Sequence, residues 1–347
     1  MSHIKNIEIK NFKSIKYAKL EDCRRVNVLI GYPNVGKSNI LEAISMMSYL
    51  QRNYRTSVKK LFRYKELIDL FNDGDKEKDA EIFADDYVFS MRFMDKDWID
   101  FAVVDKVSYV ERFNSEKSHI FKTDKINREG EIRQVQVDNS YDDNKFVVRK
   151  YQFKEDYING HAYNNDSPKK LSSPYGTNLS EVVRYNADLR KGCGELFAAY
   201  NLKLIFDENN NIIVQKQLDE FSAFQFSFQQ VSDTLQRLIF HKAAIATNEN
   251  TVLLFEEPEA HMFPPYISKF TSDITNDTNN NQFFIATHSP FVLNDFMENI
   301  KNELAVFLVD YKKGGTLIHR LTEEETHEAA QLGYDLFLNL KNFIPEE

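Results

Sequence analysis

An α/β fold is expected, with a mixed central sheet flanked by helices and an added lobe of antiparallel β-meander. Three observations point to it. A short apolar run, Val26–Ile30, ends at a glycine-bounded loop and gives way at once to helical spacing. Two further apolar runs, 252–255 and 283–286, end abruptly in polar residues and alternate with helical segments. From about 83 to 155 the chain turns to short β-branched and aromatic segments with polar breaks.

The elements follow in order. Ile4, Ile7, Ile9 and Phe12 alternate with Lys5, Glu8 and Lys10, a strand or hairpin pattern of period two. After Gly31, the residues Ile40, Leu41, Ile44, Met47 and Leu50 carry helical spacing. Residues 51–82 are charged and expected to be helical, with a loop at FNDGDKEKD. The meander is expected to run through EIFADDYVFSMRF and IDFAVVDKVSYVERF to NKFVVRKYQF. Asn178 with Glu181 has the form of a helix cap, opening a helix to about Tyr200. LKLIFDENNNIIVQKQ is a hairpin turning at 208–211. Helices are expected over 233–247, from about Pro265 and from about Pro290, around the two apolar runs. A strand pair flanking KKGG and a short helix complete the pattern. No repeat or heptad run occurs, so no long coiled-coil arm is expected.

With 347 residues the chain suffices for one large domain or two modest ones. Hydrophobic residues make up 42%, without the run of about 20 that a membrane span needs. The opening MSHIKNIEIKNFKSIK has no signal-peptide core. The two cysteines, Cys23 and Cys193, have no metal-like neighbours. A reducing, cytoplasmic setting is expected. The net charge of −9 confines any nucleic-acid contact to a local patch.

Gly31-Tyr-Pro-Asn-Val-Gly36-Lys37-Ser38 matches the phosphate-loop pattern G-x-x-x-x-G-K-[ST], with a strand before it and a helix after it. Backbone N–H groups of such a loop converge on phosphate, and the helix adds its positive end. Lys37 would reach the β- and γ-phosphates, and Ser38 would ligate Mg²⁺. LLFEEPEAH places Glu256 and Glu257 at the carboxyl end of a buried strand, where open α/β sheets hold ligands. Successive side chains on a strand point opposite ways. Glu256 is therefore assigned to the metal, and Glu257 to a water attacking the γ-phosphate. His288, at the exit of the next buried strand, is placed to sense the same phosphate.

GYPNVGKSN, VSDTLQR, LLFEEPEAH and FFIATHSP together resemble the ABC-type ATPase head of RecF-like, SMC-like and OLD-family proteins. The resemblance covers essentially the whole chain. Its nearest form is the standalone bacterial AAA-labelled ATPase that lacks a Toprim nuclease domain. It implies a P-loop NTPase using ATP and Mg²⁺. Walker A contacts would come from Gly31, Asn34, Gly36, Lys37, Ser38 and Asn39. Glu256 would be the metal-side Walker B acid, Glu257 the catalytic base and His288 the switch histidine. Ser232 would head the signature motif and bind the ATP of an opposite subunit, giving an ATP-sandwiched homodimer. Residues 1–155 would be a lobe with Walker A and the meander. Residues 156–347 would carry the helical subdomain, signature, Walker B and switch histidine, one head overall.

Four departures stand out. Glu256 replaces the usual aspartate, and Asp233 and Thr234 stand where the signature usually has glycine. Asn34 lies one place later than usual. No Q-loop glutamine is obvious, and Gln152 is the candidate. Residues 52–65, with Arg52, Arg55, Lys59, Lys60, Arg63 and Lys65 among aromatics, are a candidate DNA or RNA contact, with 52, 55, 59 and 63 on one helix side. Two roles stay open. One is a regulatory ATPase in bacterial defence acting on a separate effector, a nuclease or toxin. The other is a RecF-like repair ATPase on DNA. A degenerate nucleotide binder is the third class.

Overall fold

The computed structural model describes residues 3–50, 57–106, 120–137, 147–158, 169–331, 337 and 339–343. The strands are β1 (Ile7–Phe12), β2 (Ile15–Leu20), β3 (Val26–Ile30), β4 (Ala80–Ala84), β5 (Tyr87–Phe93), β6 (Trp98–Asp105), β7 (Ile120–Asn127), β8 (Ile132–Val137), β9 (Val147–Tyr151), β10 (Leu202–Phe206), β11 (Ile212–Gln217), β12 (Ala223–Ser227), β13 (Thr251–Glu256), β14 (Gln282–Ala286), β15 (Leu304–Lys312) and β16 (Gly315–Arg320). The helices are α1 (Lys37–Ser45), α2 (Leu179–Tyr185), α3 (Ala187–Ala198), α4 (Asp233–Ala246), α5 (Pro264–Thr275), α6 (Pro290–Asn299), α7 (Glu323–Gln331) and α8 (Leu340–Phe343).

The central sheet has the order β16-β15-β3-β14-β13-β9. All neighbours in it are parallel except β16, which returns antiparallel to β15. The apolar runs are continuous because both faces are covered. Along β14, Phe284 and Ala286 pack with Leu29 and with Ile40 and Leu41 of α1. Phe283 and Ile285 face the other way, onto Leu253, Phe255 and the α4 residues Ile239 and Phe240. A second sheet, β2-β1-β4-β5-β6-β7-β8, is antiparallel and shares the core on the α1 side. A third, β10-β11-β12, is a small antiparallel sheet.

Several expectations are corrected. Val147–Tyr151 is not the last meander strand; it pairs parallel to β13, Val147 opposite Thr251. Its inward residues on both faces suit a covered sheet rather than a half-exposed meander. The opening hairpin β1–β2 instead extends the meander, with Ile7 opposite Ala84. Residues 58–74 form short 3₁₀ turns, not a helix. Tertiary bonds claim their backbone: Val58 N–H donates to Gly130 O at 2.9 Å, and Leu70 O accepts from Lys13 N–H at 3.2 Å. Arg52 and Arg55 lie outside the described residues. Arg63 shares no helix face with Lys59.

The helix begun at Leu179 breaks at Asn186, whose side chain caps α3 by accepting from Leu189 N–H at 3.0 Å. Asn178 does not cap α2 with its side chain. It ties the preceding loop, accepting from Ser172 N–H and donating to Lys170 O. β12 is an added third strand beyond the expected hairpin. Among the described residues no helix is long and apolar enough to cross a membrane.

Candidate functional site

β3, β14 and β13 are neighbours running the same way, so their carboxyl ends open side by side. β3 feeds the loop 31–36 and α1 starts at Lys37. Gly36 has φ +109°, and a Cβ there would stand 2.3 Å from Thr316 Oγ1. A Cβ on Gly31 would meet Val309 O at 2.1 Å. The loop is thus pressed onto β15 and β16. Thr316 Oγ1 donates to Val35 O at 2.9 Å, and Asn39 Nδ2 donates to Ser14 Oγ at 2.8 Å. Lys37 Nζ donates to Gly31 O at 2.8 Å and Tyr32 O at 2.9 Å, filling the loop with its own ammonium. Burial pulls the Lys37 ammonium down to about 8, against the opposing pull of Glu257 and Glu259.

β13 ends at Glu256, and Glu257 already has φ +45°. A left-handed residue, not strand alternation, therefore separates the two carboxylates. Such a conformation costs about 1–3 kcal/mol outside glycine and gathers at functional sites. Glu256 Oε1 accepts from Arg63 Nη2 at 3.0 Å, and Oε2 stands 3.3 Å from Lys150 Nζ. Burial pushes the Glu256 carboxyl up, but Lys150, the Ser38 hydroxyl and Arg63 together hold it below its usual range. Arg63 Nε also donates to buried Glu42 of α1 at 2.8 Å, and Lys13 Nζ bonds the same carboxylate.

His288 Nε2 is 3.6 Å from Glu257 Oε1. Burial and the nearby Lys37 ammonium lower the imidazole's proton affinity, with Glu257 opposing. Glu259 links this loop to the acidic strand. Its Oε1 accepts from Thr287 Oγ1 at 2.6 Å and from His288 N–H at 3.0 Å. Burial raises the Glu259 carboxyl, and its Oε2 is buried without a hydrogen-bond partner.

One cleft of about 710 Å³ is lined by Asn34, Gly36, Lys37, Ser38, Asn39, Gln152, Glu256, Glu257 and His288. Arg63, Arg237 and His241 line it too. Gly31 lies beneath the loop, outside the lining. Ser232, the exposed residue preceding α4, also lies outside it and makes no side-chain cap bond. Asp233 is turned aside: Arg237 Nε donates to its Oδ2 at 2.7 Å, and His261 Nδ1 is 3.8 Å from the same oxygen. Thr234 Oγ1 donates to His261 O at 2.7 Å, tying α4 to the end of LLFEEPEAH. Arg237 also stands over the Phe153 ring, 4.6 Å from its centre, beside Gln152. A larger hollow of about 1200 Å³ lies against the antiparallel sheet. Within it Lys78 pairs with Asp75 at 2.7 Å and Arg92 with Asp79 at 2.8 Å, and it holds none of the motifs.

A family model described as "AAA domain, putative AbiEii toxin, Type IV TA system" matches residues 26–294. The chain belongs to this family. Its fold is that of an ABC-type ATPase head, as in SMC proteins. An uncharacterized protein of Methanocaldococcus jannaschii is 31% identical over 88 residues, 23% of this chain and 40% of its own. The DNA replication and repair protein RecF of Caldanaerobacter subterraneus is 40% identical over 65 residues, 18% of each chain. An ATP/GTP phosphatase of Helicobacter pylori is 44% identical over 41 residues, 12% of this chain and 11% of that one. The chain thus spans less than half the length of these relatives. An SMC head bound to the C-winged helix domain of ScpA superposes with a TM-score of 0.53 at 16% identity. It covers 94% of this chain and 100% of that one. The SMC head of Pyrococcus yayanosii gives 0.51 at 10% identity, covering 96% and 100%. These likenesses establish the ABC-head fold.

Five residues of the site had no role assigned to them at this site from sequence. Lys150 and His241 arrive from segments without a motif, Arg63 comes from the basic stretch, and Arg237 and Glu259 lie within VSDTLQR and LLFEEPEAH without an assigned role. The only advance sign of Glu259 was its place two residues after the paired acids.

Proposed function

We propose that this ATPase head binds ATP with Mg²⁺ in the cleft and hydrolyses it to switch a complex with a second protein. The supporting observation is that Lys37, Ser38, Glu256, Glu257 and His288 line one cleft although they come from three strand ends. Lys37 exchanges Gly31 O and Tyr32 O for the β- and γ-phosphates. The loop's N–H groups and the start of α1 hold the same phosphates. Glu257 orients a water for attack on the γ-phosphorus and accepts its proton as the bond to the β-phosphate oxygen breaks, releasing ADP and phosphate. His288, braced through Glu259, contacts the γ-phosphate from the adjacent strand end.

Magnesium fits the residues present. The Ser38 hydroxyl and the Glu256 carboxylate form a hard-oxygen pair within hydrogen-bond reach of each other on the cleft wall. Ser38 and Glu256 would hold the ion, which supplies charge neutralisation at the phosphates when bound.

Ser232 lies outside the cleft and is exposed, which supports its serving the nucleotide of a second copy in an ATP-sandwiched dimer. The family's description names a toxin–antitoxin system, which supports a defence role with a separately encoded effector. The RecF relatives support the alternative, a DNA-bound repair ATPase. Arg63, the described residue of the basic stretch that lies at the site, is committed to Glu42 and Glu256 rather than free for DNA.

Phosphate release with and without DNA tests these readings. Lys37→Ala should abolish ATP binding. Glu257→Gln should keep binding, lower turnover at least about 100-fold and trap a dimer on sizing columns. Unchanged turnover in Glu257→Gln would remove that residue from the chemistry. Stimulation by DNA that fades with salt would favour the repair role.

A further inference from the structure

Glu256 stands where the resemblance expects aspartate, and its extra methylene has a visible use. The two carboxylate oxygens are divided between cations from two segments, Arg63 on Oε1 and Lys150 on Oε2. Lys150 sits on β9, in register with Leu254 of β13, two residues before the acid. It is 3% exposed, and among the described residues its hydrogen bond beyond the carboxylate is a long one to Leu61 O at 3.4 Å. Lys150 is not part of the cleft wall, whereas Arg63, Glu256 and Ser38 are. The ammonium therefore lies behind the carboxylate, not on the phosphate side. An ammonium is held in so dry a place only where an opposite charge offsets its desolvation.

We propose that Lys150 is a positioning residue for Glu256. It is a resident cation that fixes the carboxylate from behind and offsets its charge, so that nucleotide binding depends only weakly on a divalent cation. This rests on reading the cleft as the nucleotide site. An uncompensated carboxylate at this strand end would repel the phosphates until a metal ion arrived. Here two side-chain cations already meet it. Arg63, half on the open side, can leave Oε1 when a ligand enters, but Lys150 is enclosed and stays.

The test is titration of a fluorescent ATP analogue in Mg²⁺ and in EDTA. Wild type should show Kd values within about threefold of each other in the two buffers. Lys150→Met, close in volume and without charge, should raise the EDTA-to-Mg²⁺ ratio of Kd at least about tenfold, the effect of one lost charge near the phosphates. Lys150→Arg, which keeps the charge, should hold the ratio near that of wild type. A purely structural role would weaken both buffers alike and leave the Lys150→Met ratio unchanged, which overturns the proposal. A wild-type ratio of about tenfold or more also overturns it. No wild-type binding in either buffer overturns the nucleotide reading itself, and this inference with it.

Discussion

Glu259 spends one oxygen on two donors of the switch loop, Thr287 Oγ1 and His288 N–H, and leaves the other buried and unpaired. Glutamine keeps the used acceptor, so Glu259→Gln should retain most activity. Alanine frees the loop, and Glu259→Ala should lower kcat about 10- to 100-fold with KM little changed, as loss of positioning does. Steady-state kinetics on both variants checks this. His241 offers a separate test. Its ring packs among Phe240, Phe255 and Phe270, with centroids 5.3–5.5 Å away. Burial, then Arg237, pulls its pKa from 6.5 down to about 3. The folded ring stays neutral while the unfolded one takes a proton below pH 6.5, so stability falls with pH from there toward 3. Between about pH 7 and about pH 5.5 this loss amounts to about 1 kcal/mol. His241→Phe should lack that increment when denaturant unfolding is compared at the two pH values. Lys37, Ser38 and the paired acids were legible because a short pattern carries them. Arg63 and Lys150 were not, because each meets Glu256 from a segment about 100 or more residues away in sequence, and only folding brings them there.

Strands buried on both faces declare themselves as unbroken apolar runs, which is why β3, β13 and β14 could be read with their helices. β9 could not. Five residues, VVRKY, are as short and β-branched as the meander segments before them, and nothing local says that the partner is β13, 104 residues on. The break at Asn186 was hidden for a similar reason, since its capping bond competes only weakly with helix continuation in sequence terms. Between strand and helix, the tightest element is the phosphate loop. Gly36→Ala places a Cβ against Thr316 Oγ1 at φ +109°, so both clash and backbone oppose it. It should cost at least about 2 kcal/mol in denaturant unfolding and weaken nucleotide binding together.

The molecule cannot be cut cleanly between its amino- and carboxyl-terminal halves. β3 lies between β14 and β15, and Asn27 Nδ2 donates to Phe283 O, 256 residues away. One apolar cluster runs from the antiparallel sheet through α1 to β14 and β15. Unfolding should therefore be a single transition. The sole tryptophan, Trp98, reports from β6 in the antiparallel sheet. Its fluorescence midpoint should coincide with that of far-UV circular dichroism in urea. Two separated midpoints would show that the sheets melt independently. The bond from Thr316 Oγ1 to Val35 O spans 281 residues. Synthesis proceeds from the amino end. A chain on the ribosome thus exposes GYPNVGKS early, but the seat of that loop emerges only with β16. The phosphate loop should therefore lack its backing until β16 has emerged.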